Sequence, residues 1–274
     1  LMQFFIGAPE TIIDRWFESE KVKAMIAAHI MPANYAPLNQ PGASLAMLHH
    51  AVGELNGRAG SWGIVKGGMG GITQAMAKAA TVLGVDILTS AAVQRIETRD
   101  NRVTGVTLAN GDLITAPVVA ANTDPKRTFF ELLGEEYLPP EFARDLKGFR
   151  QESASLRMNL ALSELPQFAA LPGAEGPQHH ASIVMIENAD HLNAAFHSAK
   201  RGEPANPPII EAVIPSVVDD SLVDTPGHHV MSLLCKYMPY DLSQRRSWDE
   251  QKQPVLEKIF GYIETVIGDK SDND

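Results

Sequence analysis

The residues best placed for chemistry in this sequence are glycines. In SWGIVKGGMGGITQAMAKAA, residues 61–80, four glycines occupy the five positions from Gly67 to Gly71, between a short apolar run and a periodic helix pattern. Such a cluster exposes backbone N–H groups at a helix start, the arrangement that cradles phosphates. A dinucleotide fingerprint needs G-x-G-x-x-G, so that the turn is tight, the backbone reaches the pyrophosphate and the helix meets the strand. Starting at Gly68 the string is G-M-G-G-I-T, with Thr73 where the third glycine belongs. The acidic residue expected about 20 positions on is also missing, since that region reads ILTSA. No Gly-Lys-Ser or Gly-Lys-Thr follows, so the P-loop pattern fails too. What remains is a tight turn presenting a helix N-terminus, either purely structural or facing a polar ligand atom.

Other groups carry weaker signals. Three adjacent pairs, His49-His50, His179-His180 and His228-His229, suggest metal at first sight. Neighbours on a strand point to opposite faces, so a pair needs partners from elsewhere to chelate one ion. No HExxH or cysteine cluster accompanies them, and a metal site is not expected. Asp219, Asp220, Asp224, Asp269, Asp272 and Asp274 lack the regular spacing of a calcium loop and read as solvated. The single cysteine, Cys235, excludes an intrachain disulfide framework and reads as a buried, inert thiol in MSLLCKY.

Composition narrows the class. The chain has 274 residues, 45% apolar and 20% charged, which reads as globular. With 23 Lys and Arg against 33 Asp and Glu, the formal charge of -10 argues against a nucleic-acid or anionic-membrane surface. No apolar run approaches the ~20 residues of a membrane span. LMQFFIGAPE has neither a Met at position 1 nor the layout of a signal peptide, and reads as a cut inside a longer chain.

The elements that must position these groups are mixed. Apolar residues from Ile12 to Ile30 at helical spacing predict a helix pair or one bent helix closed by Pro32. PANYAPLNQPGAS is a loop, and residues 44–55 extend the helical reading. Ile72, Ala75, Met76, Ala79, Ala80 and Leu83 put one apolar face on a helix stopped by Gly84. With the run before the glycines and VDILTS after the helix, the unit reads strand, turn, helix, strand. AVQRIETR, RVTGVTLA and DLITAPVVAAN then form a three-stranded meander with turns at Asp100-Asn101 and Asn110-Gly111. VVAAN, without polar alternation, reads as a strand buried on both faces. Four strands follow in SLRMNLALS, ASIVMIE, PPIIEAVIPS and HHVMSLLCKYMPY, with helices at 189–200 and 249–267. This predicts an α/β (mixed α+β) fold in which an antiparallel sheet is covered by helices on one face.

The combination W-G-x-V-x-G-G-M-G, a helix, G-V-x-I-x-T-x-A-x-V-x-x-I, V-x-G-V-x-L-x-x-G-x-x-I and V-V-A-A-N-x-D-P-x-x-T-F resembles the phytoene desaturase-like flavoproteins. Within that group the likeness runs to the pyridine nucleotide-disulphide oxidoreductase domain-containing proteins. Pro177-Gln178-His179-His180, IPSVVDDSLVDTPGHHVMS and YMPY extend the resemblance through nearly the whole chain.

The resemblance implies an FAD-dependent oxidoreductase in which hydride passes from a largely apolar substrate to flavin. It also implies that the ADP-gripping βαβ unit precedes Leu1 and that a glycine-rich closing segment follows Asp274. Residues 1–60 are then a helical part of the substrate domain, 61–133 a remnant of the FAD-binding domain and 134–274 the substrate domain. The glycine turn matches the family's internal G-G-M-G, on the substrate and flavin side rather than at the pyrophosphate. By resemblance the Val93 backbone meets the FAD adenine, and Ala120, Ala121 and Asn122 end a strand passing the cofactor. Trp62, Lys66, Gly67, Gly68 and Met69 are the substrate-face candidates, with His179 and His180 as cleft residues. Core packing for Trp62 and Val93 and a solvated Lys66 are the plainer alternatives.

The partners this implies are a small apolar substrate, no nucleic acid and no integral membrane segment, with peripheral membrane contact and self-association through exposed apolar surface left open. The expected compartment is the cytoplasm, or the mitochondrial matrix in a eukaryote. A non-catalytic interaction or scaffold module that keeps the fold without flavin is the competing reading, and an NAD-dependent dehydrogenase is disfavoured by the missing fingerprint.

Overall fold

The structure is a computed structural model that describes residues 2–30, 35–51, 53–61, 63–151 and 155–268. Trp62 and the acidic residues Asp269, Asp272 and Asp274 lie outside the described residues. The helices are α1 (Met2–Ile6), α2 (Pro9–Trp16), α3 (Glu20–Ile30), α4 (Leu45–Ala51), α5 (Gly70–Val82), α6 (Pro140–Gly148), α7 (Asp190–Lys200) and α8 (Trp248–Ile267). The strands are β1 (Glu54–Leu55), β2 (Arg58–Ala59), β3 (Val93–Arg99), β4 (Arg102–Leu108), β5 (Leu113–Thr115), β6 (Leu156–Leu162), β7 (Ile183–Met185), β8 (Ile209–Val213) and β9 (His229–Lys236). The chain packs as two compact units, residues 1–73 with 152–274, and residues 74–151.

The first unit is built on a four-stranded antiparallel sheet in the order β6-β9-β8-β7. All four strands arise where alternation and branched residues predict them. On the central strand β9, Met231, Leu233 and Cys235 are buried and point to one side, where Val255, Ile259 and Ile263 of α8 cover them. These three α8 residues recur at four-residue spacing, so one helical stripe meets one pleated face. Ser247 caps α8 by accepting from the Glu250 amide, while the Glu250 carboxylate accepts from the Ser247 amide.

A second core lies at one end of the opposite sheet face. Ile13, Ala27 and Leu38 from the N-terminal helical region pack with Leu192, Ala195 and Ala199 of α7 and with Ile209 of β8. The hinge of this contact is Tyr237, whose φ of 56° interrupts strand alternation just after β9. Lys236 and Tyr237 therefore both reach the helical region: Lys236 Nζ donates to the Ala28 carbonyl at 2.6 Å and Tyr237 Oη to the Ala36 carbonyl at 2.9 Å. Tyr35, Phe196 and Tyr237 stack edgewise or tilted around them.

The helical reading of residues 44–55 is corrected after Ala51. Asn56 and Gly57, at φ 52° and 76°, make the tight turn of the β1-β2 hairpin, the conformation that an Asn-Gly pair supplies. The helix pair of residues 10–30 is present as α2 and α3.

In the second unit the meander β3-β4-β5 is antiparallel as the sequence predicts. Asp100 and Asn101 both take positive φ, 51° and 58°, whereas in the Asn110-Gly111 turn only Gly111 does, at 92°. Gly105 is required where β4 and β5 meet, because a Cβ there would lie 2.1 Å from the Ile114 carbonyl oxygen. Three expected strands are absent among the described residues: the run before the glycines, and the two that follow. VDILTS and VVAAN carry no ladder, since a strand exists only where a neighbour accepts its hydrogen bonds. The helix α5 forms as predicted, but its apolar residues are not buried; Met76 is 66% and Val82 81% exposed, and Leu83 just after it 83%. Among the described residues no helix is long and apolar enough to cross a membrane.

These burials set a stability test. Leu233→Ala should cost about 2–5 kcal/mol through the cavity it leaves, whereas Leu83→Ala should stay within about 0.5 kcal/mol. Urea unfolding of the 274-residue chain followed by circular dichroism reads both, and equal losses would refute the packing described.

Candidate functional site

The glycine turn is held from within the first unit. Gly67 and Gly68 take φ of 78° and 84°, the left-handed region that glycine adopts without penalty. The turn then enters α5 at Gly70. The Gly67 amide donates to Asp219 Oδ2 at 2.6 Å, while Asp219 Oδ1 accepts from Ser221 Oγ at 2.6 Å and from the Ser221 amide at 3.2 Å. The Ser221 hydroxyl, then the Gly67 amide, with Lys66 nearby, hold the Asp219 carboxyl below its ordinary value of 3.8. A protein carboxylate thus sits on the first amide of the turn, where an incoming anion would otherwise bind. The phosphate-cradle pattern that fails by spacing is also occupied by charge.

The solvated reading of Asp219 is therefore corrected: the residue is buried, because its two oxygens are consumed by the turn and by Ser221. Asp220 and Asp224 are exposed. Just before them Ser216 accepts from the Val230 amide at 3.0 Å and lies 3.2 Å from His229 Nδ1, tying residues 214–222 to the start of β9. Lys66 and Met69 are exposed beside the turn, Met69 at 73%.

The histidine candidates separate. His179 is buried, its Nε2 donating to the Pro166 carbonyl at 2.9 Å, its Nδ1 accepting from the Gly176 amide at 3.1 Å, and its ring tilted against Phe168. With both nitrogens consumed it braces the 166–180 loop and has no atom for a ligand, which corrects its reading as a cleft residue. His180 is exposed and meets Glu175 at 3.1 Å. His179-His180 lies at a short 3-10 turn rather than on a strand, so opposite strand faces are not what separates its two rings.

The sheet face turned away from α8 carries groups the motif search passed over. By register Arg157 stands opposite Leu234, Asn159 opposite Ser232 and Ala161 opposite Val230, with Glu211 and Val213 on the next strand. Arg157, Asn159, Ala161 and Val213 are exposed, and Arg157 Nη1 donates to Ser232 Oγ at 3.1 Å. At the covered end Lys236 is buried and 3.0 Å from Glu211 Oε2; burial lowers its pKa, and the Glu211 charge opposes that. The signal for this face was legible in LRMNLAL, where every second residue is apolar and the others are Arg, Asn and Ala.

In the second unit Val93 opens β3 on the free edge of its sheet and is 37% exposed. Ala120, Ala121 and Asn122 are exposed chain rather than strand, and among the described residues no backbone group of 118–122 finds a backbone partner. Val93 is paired across the ladder with Leu108, whereas residues 118–122 leave their backbone groups to solvent.

In sequence the chain is similar to known oxidoreductases. Residues 15–133 match the family described as flavin containing amine oxidoreductase. The chain is 37% identical to the rat pyridine nucleotide-disulfide oxidoreductase domain-containing protein 2 over 92% of its length and 45% of that protein's. It is 29% identical to a lycopene-forming phytoene desaturase of a Paracoccus species over 58% of its length and 30% of the relative's. Among solved structures, an oxidoreductase from Methanosarcina mazei superposes with a TM-score of 0.64 at 16% identity, covering 96% of this chain and 53% of that one. The chain is thus homologous to the phytoene desaturase-like oxidoreductases, as its motifs indicate, and it spans about half the length of the curated relatives it matches.

The turn lock has two measurable consequences. Asp219→Ala should raise amide exchange at Gly67–Gly71 by tenfold or more, consistent with the loss of a charge-assisted hydrogen bond, while β9 amides stay protected. Because the folded pKa of Asp219 is depressed, its contribution is complete above 3.8 and is lost as pH falls through the lower folded value. Acid titration of the wild type should therefore loosen the turn below about pH 4, and the Asp219→Ala turn should show no such step.

Proposed function

We propose that this chain supplies the substrate-binding part of an FAD-dependent oxidoreductase of the dehydrogenase or desaturase kind. The observation that carries the reading is 37% identity maintained over 92% of the chain, through both units, with a protein named as an oxidoreductase. The family match at 15–133, which takes in the glycine turn, supports flavin as the redox group.

Flavin, when bound, supplies the two-electron chemistry by accepting a hydride from a substrate C–H. The residues of this chain bind, orient and exclude water. Val93 and Ala120–Asn122 are assigned to the cofactor side, Val93 through its backbone. Lys66, Gly67, Gly68, Met69 and Trp62 are assigned to the substrate side, where the Asp219 lock fixes the glycine backbone before any ligand arrives. Removal of two hydrogens sends a hydride to flavin and a proton from the neighbouring carbon to solvent, so no dedicated acid-base pair of this chain is invoked. The substrate is accordingly a largely apolar molecule.

A second reading, a module that keeps the fold without turnover, draws on the exposed apolar residues Met76, Val82, Leu83 and Val118. The two separate cleanly. The natural gene product carrying these residues, reconstituted with FAD, should absorb at about 450 nm and bleach anaerobically when substrate is added. A colourless product that takes up no FAD, and whose exposed apolar surface drives concentration-dependent association in light scattering, would favour the module.

A further inference from the structure

We propose that the substrate carries a carboxylate, recognised by Arg157 with Ser232 and Asn159 on the open sheet face, and is an amphiphile rather than a pure hydrocarbon. This deepens the functional reading above, since it names the substrate class of the same protein.

The argument starts from satisfaction of polar groups. Among the described residues Arg157 has one polar partner, the Ser232 hydroxyl, and no carboxylate within ion-pair reach. The other cation of this face, Lys236, is already paired with Glu211 and with the Ala28 carbonyl. Glu211, two strands from Arg157 on the same face, is engaged instead by Lys236 and by the Ser182 hydroxyl. What sets Arg157 apart is its place on a sheet face beside Ser232, Asn159 and apolar residues, with its guanidinium held by one hydroxyl.

A ligand that covered this face with hydrocarbon alone would strip water from the guanidinium and from the Asn159 amide, leaving one hydroxyl between them. Burying such groups unpaired is strongly unfavourable. A carboxylate removes the conflict. The planar guanidinium offers a two-pronged fork that matches two carboxylate oxygens, and Asn159, opposite Ser232, brings two further N–H donors to the same rung. Beside them Val213, Ala161 and Val230 give an apolar run along which a chain can lie. The face therefore reads from an anionic head to an apolar body.

Arg157 lies on an edge strand, where charge also guards against sheet-to-sheet association. That role needs only a charge, so lysine would serve it, whereas the fork needs arginine. The two roles are separable by experiment.

Isothermal titration calorimetry on the 274-residue chain, with n-decanoate, decan-1-ol and decyltrimethylammonium as probes, tests the proposal. Decanoate should bind about tenfold to hundredfold more tightly than decanol, the cation should bind no better than the alcohol, and added salt should narrow the difference. Arg157→Gln and Arg157→Lys should both erase most of the preference without moving the thermal midpoint. Decanol matching decanoate, an Arg157→Lys chain that keeps the full preference, or no binding of any probe would each overturn it. Flavin uptake is read separately. Carboxylate preference without flavin would sink the redox reading alone, and flavin without the preference would sink this one alone.

Discussion

The alternation of side chains along β9 is the constraint from which the rest of the first unit follows. A strand has two faces, and every residue of β9 is committed to one of them by its partners on β6 and β8. Met231, Leu233 and Cys235 fall together beneath α8, so Ser232, Leu234 and Lys236 must fall on the other side. A slip of one residue would drive Lys236 into the hydrophobic layer and expose Leu233. The cost of burying that ammonium without Glu211 and the Ala28 carbonyl far exceeds any gain, which fixes the register. Chemistry on the outer face is thus a consequence of packing on the inner one.

The same logic separates what the sequence made legible from what it did not. Strands β6, β8 and β9 and helix α8 were readable because their patterns are answered within the chain: each apolar stripe has a partner stripe. VDILTS and VVAAN have equally strong strand composition but no ladder among the described residues, and composition alone carries no hydrogen bonds. Helix α5 marks the intermediate case. Its backbone bonds are local, so it forms, while the burial implied by its apolar face is a tertiary matter and is not met within the chain. Asn56-Gly57 is a different kind of miss, since the turn chemistry was present in the residues and simply outweighed by the helical spacing before it.

Site residues follow a similar division. The glycine turn was visible because glycine has a conformational meaning that sequence displays. Its anchor was not, since Asp219 lies 152 residues away and belongs to a stretch that reads as ordinary acidic loop. His179 illustrates the reverse error. A histidine next to a histidine attracts a chemical reading, yet this one is spent on two backbone groups, and only the fold reveals that its valences are full.

The lock between Gly67 and Asp219 bears on what this turn can recognise. A helix start with free amides favours anions, but here the first amide is neutralised by a carboxylate already below its ordinary pKa. A second anion brought to the turn would meet that charge at close range, with little water between them to screen it. The turn is therefore suited to a neutral or apolar part of a ligand, pressed against backbone that cannot move away. Arg157 offers the complementary charge on the sheet face of the same unit. Repulsion at one place and attraction at the other would, on the proposal above, orient an amphiphile without any residue having to change protonation.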